Sequence, residues 1–117
     1  MKILQLFNQY RSLFNGEERV VEMIDALLKR HGHESRLWMQ SSRGLEASLW
    51  GKVQATFSAV YSRGARRAME ARLDADPPDV VHAHNLYPHF SPSVLLAARQ
   101  RGIPTVLTVH NHIHTCP

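Results

Sequence analysis

Histidine and asparagine side chains are concentrated in the last third of this 117-residue sequence. Six of the eight histidines lie between positions 82 and 114, and two His-Asn pairs, His84-Asn85 and His110-Asn111, each follow a valine-rich run. These side chains offer hydrogen-bond donors and acceptors without a fixed charge, which suits the recognition of a polyhydroxyl ligand. The alternative is that they only cap strand ends and satisfy the backbone of loops.

A metal site is a second possible use of the histidines. His110, His112 and His114 alternate, so in a continuing strand they would share one face and could hold zinc or nickel. No Asp or Glu follows Asp79, however, so a carboxylate ligand or partner for such a site is missing from this part of the sequence. We therefore expect no physiological metal and treat a small metal-dependent hydrolase as the least favoured hypothesis.

Other chemistries lack their sequence signatures. There is no GxGxxG turn, no Walker sequence and no GxSxG nucleophile motif, and Gly16 is the one glycine in the first loop. Cys116 is the single cysteine, which favours a reducing compartment. No signal peptide or apolar run long enough to cross a bilayer is visible. We expect a cytoplasmic protein that needs no dinucleotide cofactor.

The elements that must position these residues alternate between strand and helix. Length and a 44% hydrophobic content indicate one globular domain. Buried apolar runs predict four strands, Lys2–Phe7, Ser35–Met39, Asp79–Ala83 and Thr105–Val109. Capping and helical periodicity predict helices that begin at Asn15, at Leu49 and at Ser91-Pro92 and end near Arg30, Leu73 and Arg101. Gly51 and Gly64 weaken the second of these, so two shorter helices are the alternative there. This order predicts an α/β fold with a Rossmann-like parallel sheet of about four strands and flanking helices.

Strand direction divides the histidines into two groups. Ligands of open parallel sheets bind beyond the carboxyl ends of the strands, which here are followed by the two His-Asn pairs. If the third and fourth strands are parallel neighbours, His84-Asn85 and His110-Asn111 converge. His82 lies in the strand body, on the side opposite Ala83, and is expected to be a packed histidine.

Three stretches of the sequence together resemble the N-terminal domain of family-4 glycosyltransferases of the GT-B type. They are PDVVHAHN (Pro78–Asn85), GIPTVLTVHN (Gly102–Asn111) and FNGEERVV (Phe14–Val21), the last similar to the GG-x-E opening of the family's first helix. The sequence departs from that opening at Asn15, where many relatives carry the first of two glycines. The resemblance spans essentially the whole chain, and it is specific in combination.

The resemblance implies a metal-independent, retaining transfer of a sugar from a nucleotide-sugar co-substrate to a glycan or lipid-linked acceptor. It places His110 near the transferred sugar as the catalytic candidate and Gly16 near the donor diphosphate. Glu17, His84, Asn85 and Asn111 complete the expected donor- and acceptor-binding set. The family's second domain, which binds the donor and carries an E-x7-E motif, is not in residues 1–117, so we expect a partial N-terminal domain that is inactive alone.

Two partner surfaces are expected besides the substrates. Residues 43–72 contain six basic and two acidic side chains and so carry the whole net charge of +4. That segment suits a peripheral contact with the anionic inner face of the cell membrane, which liposome flotation can test. The alternative is a solvated helix face.

An uncovered fourth strand suits homodimerisation, testable by light scattering. Nucleic acid is not an expected partner. The main alternative function is a stand-alone flavodoxin-like binding or regulatory module.

Overall fold

A computed structural model describes residues 1–9, 16–41, 61–86 and 89–110 of the chain. Within these ranges four strands alternate with three helices: β1 Lys2–Gln9, α1 Gly16–Arg30, β2 Glu34–Ser41, α2 Arg63–Ala75, β3 Val80–Asn85, α3 Pro92–Gln100 and β4 Thr105–Leu107. The strands form one sheet in the order β2-β1-β3-β4, and every neighbouring pair is parallel. The Rossmann-like α/β fold predicted from the sequence is therefore confirmed.

The observed boundaries differ from the predicted ones mainly at the carboxyl ends of the strands. β1 and β2 each run two residues further than predicted, and β3 continues through His84 and Asn85 instead of ending at Ala83. β4 ends at Leu107, two residues early, although the Thr108 amide still donates to the Ala83 carbonyl at 2.8 Å. Asn15 and the first half of the helix predicted from Leu49 lie outside the described residues.

The sheet has an apolar face and a more polar one. Leu6, Val81 and Ala83 pack against α2 and α3 in a cluster that also contains the fully buried Met69 and Val94. Trp38 and Phe90 meet edge to face in this cluster, with ring centroids 4.9 Å apart. Alternate residues point the other way toward α1, and we call this side the α1 face. Gln5 and Ser35, both buried, lie on it.

The described ends of α1 and α3 follow the predicted signals. The helix predicted over Leu49–Leu73 does not run through Tyr61 and Ser62, because Ser62 is extended and its side chain caps α2 at Arg63. Ser91 caps α3, and Pro92 occupies its first turn, as expected from the Ser-Pro pair. Gly32 and Gly102, which follow α1 and α3, adopt φ values of 80° and 72°. Residues other than glycine rarely adopt this left-handed backbone conformation, so both glycines are needed where the chain turns back toward the next strand.

The basic segment is only partly described, and half of its described arginines are engaged within the protein. Arg66 donates to Glu70 at 2.9 Å and to Gln100 at 2.7 Å, while the Arg72 guanidinium lies 4.2 Å from the centre of the Trp38 ring. Arg63 and Arg67 are exposed on α2. The contact with a membrane stays a prediction. Among the described residues, no helix is both long and apolar enough to cross a bilayer.

Strand β4 lies at the edge of the sheet and presents apolar side chains. Val106, Leu107 and Val109 are each 41% to 51% exposed. This exposure agrees with the apolar surface expected at the fourth strand, because only one side of β4 is paired within the described sheet. Homodimerisation through this surface stays a prediction.

Candidate functional site

The carboxyl ends of the strands bring together the residues singled out in the sequence. The start of α1 follows β1 in the chain, and β3 lies between β1 and β4, so the ends of β3 and β4 are side by side. His84 Nδ1 and His110 Nε2 are 3.2 Å apart, so the two His-Asn motifs converge as expected from parallel neighbouring strands. Asn111 lies outside the described residues, as do His112, His114 and Cys116.

A bulge in β3 marks the position of His84. Leu6 of β1 pairs with Ala83, but the next residue, Phe7, pairs with Asn85. His84 is therefore an extra residue relative to β1. Bulges in parallel pairs are uncommon and re-aim side chains near functional sites. Here the bulge falls at the residue that joins the strand body to the carboxyl edge.

His84 is buried and hydrogen-bonded through both ring nitrogens. Its side chain is 1% exposed. Nε2 lies 2.9 Å from Gln5 Oε1, and Nδ1 faces His110. The sequence placed His84 on a loop at the rim, whereas the structure places it inside the sheet with His110, half-buried, above it. His84 thus contacts the candidate catalytic residue rather than open solvent.

Three imidazole rings form a row on the α1 face. His82 and His84 have ring centroids 4.0 Å apart, and His84 and His110 are stacked at 5.4 Å. His82 Nε2 lies 2.8 Å from Thr108 Oγ1 on the neighbouring chain segment. His82 and Ala83 occupy opposite faces, and His82 packs against its neighbours as the sequence predicted.

Burial favours the neutral form of His82 and His84. Desolvation, with smaller contributions from His82 and His110, lowers the pKa of His84 to about 4. Desolvation and the neighbouring His110 also lower the pKa of His82 below its ordinary value. An imidazole that stays neutral at physiological pH keeps one donor nitrogen and one acceptor nitrogen. His84 can therefore orient a neighbouring ring, but it does not act as a cation.

A buried polar group below the histidines was not predicted as part of a site. Gln5 Nε2 donates to Ser35 Oγ at 2.7 Å and to Asp25 Oδ1 at 3.4 Å, while Gln5 Oε1 contacts His84. In the sequence, Gln5 is only a polar interruption of an apolar run. The signal that could have identified it is a glutamine inside a strand buried on both faces, where an amide requires hydrogen-bonding partners.

The start of α1 lies beside the end of β3. Asn85 Nδ2 donates to Glu17 Oε2 at 3.4 Å, and Gln9 Nε2 donates to Glu18 Oε1 at 2.7 Å. Both glutamates at the helix start are therefore engaged by protein groups. Gly16 is exposed, and a Cβ added to it would meet nothing within 4 Å. Among the described residues, none obstructs the approach of a ligand to Gly16.

A metal centre is not formed by the described part of the chain. No group of three or more His, Cys, Asp or Glu residues there has the arrangement needed to hold a metal ion. The described histidine row directs its hydrogen bonds to Gln5, to Thr108 and between its own rings. The side chains at this edge are mostly neutral donors and acceptors, which suits hydroxyl groups as ligands.

A second concave region lies at the opposite edge of the sheet. This groove, about 200 Å³ in volume, is lined by residues from the amino ends of β1 and β2 and from the end of α2. Lys2 Nζ pairs with Asp76 at 2.8 Å, and Arg36 also pairs with Asp76. Because each of these charges is paired within the protein and ligands of parallel sheets bind at the other edge, we assign the groove a structural role.

Comparisons with known proteins agree with the geometry. Residues 14–116 match the family model described as Glycosyltransferase Family 4. Two proteins named glycogen synthase, from two strains of Cereibacter sphaeroides, are 42% and 39% identical to this chain over 62 residues. Each match covers 53% of this chain but only 13% of the relative, so the chain corresponds to a small part of those proteins. No solved structure matches the chain significantly.

Proposed function

The chain belongs to glycosyltransferase family 4, and from this premise we propose that it forms the acceptor side of a sugar-transfer site. In this proposal a sugar moves from a nucleotide-sugar donor to a glycan or lipid-linked acceptor. A glycan acceptor agrees with the relatives named glycogen synthase. In the same proposal the donor nucleotide is held by a donor-binding domain of the family-4 type, as the resemblance implies.

One observation carries the proposal: three separate parts of the chain meet at the carboxyl edge of the sheet. Asn85 joins the end of β3 to Glu17 at the start of α1, and His84 joins it to His110 after β4. In open parallel sheets this edge is where ligands bind. In the proposed site, the open turn at Gly16 faces the donor diphosphate, because helix N-termini bind phosphate through their backbone N–H groups.

In the reaction proposed, the bond between the anomeric carbon and the donor diphosphate breaks, and the acceptor oxygen forms the new bond to that carbon. The nucleoside diphosphate leaves with the electron pair of the broken bond and takes up the proton of the acceptor hydroxyl. His110 contacts a hydroxyl of the transferred sugar and positions it for this step. The resemblance to the family supports retention at the anomeric carbon and transfer without a metal. Imidazole and amide groups suit this role, because they offer hydrogen-bond donors and acceptors to hydroxyl groups.

A donor panel tests the proposed function. UDP- and GDP-sugars are supplied with glycan and lipid-linked acceptors, and release of the nucleoside diphosphate is measured. We expect turnover from a protein that combines this chain with a donor-binding family-4 domain, and none from the 117-residue chain alone, because catalysis needs preorganised groups from both sides. Turnover by the chain alone would contradict the proposal that the chain forms only the acceptor side of the site. Reversible binding of a small ligand without turnover in the two-domain protein would favour the alternative, a flavodoxin-like regulatory module.

A substitution at Gly16 is expected to separate ligand contact from folding. In the Gly16→Ala variant the added methyl meets no atom of the described residues within 4 Å, so the free energy of unfolding should stay the same or rise by up to about 1 kcal/mol. Donor affinity, measured by calorimetry in the two-domain protein, should fall about tenfold, because the methyl obstructs close approach of the diphosphate to the backbone.

Gly64→Ala is the matched control for this prediction. Gly64 also lies at the start of a helix and also has no atom within 4 Å of an added Cβ, but α2 covers the opposite face of the sheet. Donor affinity should be unchanged in this variant. Equal donor affinity in wild type and Gly16→Ala would remove Gly16 from the proposed site.

The two further surfaces belong to the same proposal. We propose that the exposed arginines of α2, Arg63 and Arg67, contribute to a peripheral contact with the inner face of an anionic membrane, where a lipid-linked acceptor would be presented. Self-association through the exposed apolar side chains of β4 is the corresponding proposal for a homodimer.

A further inference from the structure

A line of hydrogen-bonded side chains, which we call the relay, runs from α1 to the candidate catalytic residue. It begins at Asp25 on α1, passes through Gln5 on β1 and His84 on β3, and ends at His110, with heavy-atom distances of 3.4, 2.9 and 3.2 Å. A side-chain amide and a neutral imidazole each have one donor end and one acceptor end. The direction of the first hydrogen bond therefore determines the direction of all the others.

The carboxylate of Asp25 determines the orientation of the Gln5 amide. Burial acts to raise the pKa of Asp25, but hydrogen bonds from Lys29 and Ser35, with the charge of Lys29, hold it below its ordinary value. An ionised carboxylate only accepts hydrogen bonds, so the NH2 group of Gln5 must face it. Turning the amide over would place Gln5 Oε1 against the carboxylate. Oε1 therefore faces His84.

The Gln5 carbonyl in turn determines the tautomer of both histidines. Because Oε1 only accepts, His84 Nε2 must carry the proton, and Nδ1 of the neutral ring is then an acceptor. His110 Nε2 lies opposite that acceptor and must donate to it. In a neutral His110 ring the remaining nitrogen, Nδ1, is left without a proton. Across the described ranges, Nδ1 makes no hydrogen bond to the protein.

We infer that Asp25, Gln5 and His84 are positioning residues that hold His110 in its Nε2–H tautomer, so that Nδ1 accepts a hydrogen bond from a ligand hydroxyl. The identity of that hydroxyl, as one on the transferred sugar or its acceptor, rests on the proposed function. The tautomer itself does not. A ring with a preset tautomer meets the hydroxyl proton in a fixed direction, which is how a buried partner prepares a histidine for catalysis.

Imidazole nitrogen NMR on the 15N-labelled 117-residue chain tests the tautomer without any substrate. Protonated and bare ring nitrogens have well-separated 15N shifts, so each nitrogen can be assigned a state near neutral pH. We expect protonated Nε2 and bare Nδ1 in both His84 and His110, with a scalar coupling between His110 Nε2 and His84 Nδ1 across their hydrogen bond. A proton on Nδ1 of either ring, or no coupling, would overturn the inference.

The Gln5→Lys variant is designed to reverse the donor-to-acceptor direction of the hydrogen bonds in the relay. A lysine ammonium pairs with Asp25 but can only donate toward His84 Nε2. His84 should then carry its proton on Nδ1, and His110 should move its proton to Nδ1 in response. Arg30→Met is the control, because it removes an exposed cation of α1 and leaves the pair between Lys29 and Asp25 in place. A folded Gln5→Lys chain with an unchanged His110 tautomer would overturn the relay, and the wild-type spectrum decides the matter if that variant does not fold.

Transfer activity in the two-domain protein is the separate readout. If His110 Nδ1 accepts from the sugar, Gln5→Lys should lower kcat about tenfold or more while the donor dissociation constant changes little. Arg30→Met should retain the wild-type kcat. An inverted tautomer with unchanged kcat would support the relay and remove His110 from the transfer step. A wild-type tautomer other than the expected one would overturn the relay and leave the proposed transfer function standing.

Discussion

Replacement of His110 by alanine is expected to lower sugar transfer about a hundredfold or more in the two-domain protein, because removal of one preorganised polar contact to a transition state has an effect of this size. The free energy of unfolding should change little, since His110 is half-buried and its ring bonds within the described chain only to His84. The measurement is kcat with the preferred donor, accompanied by urea unfolding of the same variant.

Two amide substitutions sharpen this prediction. An asparagine side chain reaches the position that Nδ1 occupies in histidine, whereas a glutamine side chain reaches the position of Nε2. His110→Asn can therefore offer a carbonyl oxygen where Nδ1 accepts, and His110→Gln can only replace the hydrogen bond to His84. We expect partial activity in His110→Asn and activity near that of alanine in His110→Gln.

His31→Ala supplies the control for the loss of an imidazole. His31 is exposed and follows α1, at the edge of the sheet away from the site, so its removal should leave kcat unchanged. Equal activity of His110→Ala and the wild type would remove the catalytic assignment, and a large loss of stability in His110→Ala would show that the residue serves the fold instead.

Much of the fold could be predicted because several local signals agreed. The alternation of valine-rich runs with capped, periodic helices predicted the parallel sheet, and the Ser91-Pro92 pair predicted the start of α3. The same reasoning predicted that His84 and His110 would meet, because neighbouring parallel strands end at one edge. These inferences depend on chain order and periodicity, which one sequence contains in full.

The position of His84 could not be predicted, because it depends on pairing between distant parts of the chain. A strand ends where its neighbour stops supplying hydrogen bonds, and β1 continues far enough to pair with Asn85. The bulge that makes His84 an extra residue has no signature in the sequence. His84 consequently lies inside the sheet as a partner of His110 rather than on a loop.

The role of Gln5 was missed for a related reason. Its partners Asp25, Ser35 and His84 lie 20, 30 and 79 residues away along the chain. A polar residue in a buried strand indicates that partners must exist, but only the assembled sheet identifies them. The candidate site was therefore predicted as a rim of hydroxyl-binding groups, while the buried line that orients the rim was not.

The burial of His84 has a large expected consequence for stability in mild acid. Its pKa is about 4 in the folded protein, against an ordinary value of 6.5. Above about pH 6.5 the ring is neutral in both states and contributes no pH dependence. As the pH falls below that value, the unfolded chain binds a proton that the folded chain does not bind, so the unfolding free energy decreases. The decrease should amount to about 3 kcal/mol by the time the pH reaches about 4.

Urea unfolding between about pH 7.5 and pH 4.5 measures this effect, with the His84→Gln variant as the test. The variant has no titrating group at this position, so most of the slope of the unfolding free energy against pH should disappear in that range. A smaller part of the slope belongs to His82, whose pKa is also lowered, and should remain. Burial acts to raise the pKa values of Asp25 and Asp76, but hydrogen bonds and nearby cations lower them. The contribution of these carboxylates to the free energy of unfolding is therefore lost only below their ordinary pKa of 3.8. His31→Gln, which removes an exposed histidine, should keep the wild-type slope. A wild-type slope in His84→Gln would mean that His84 accepts its proton within the folded sheet, and the neutral ring that orients His110 would then be lost in the same pH range.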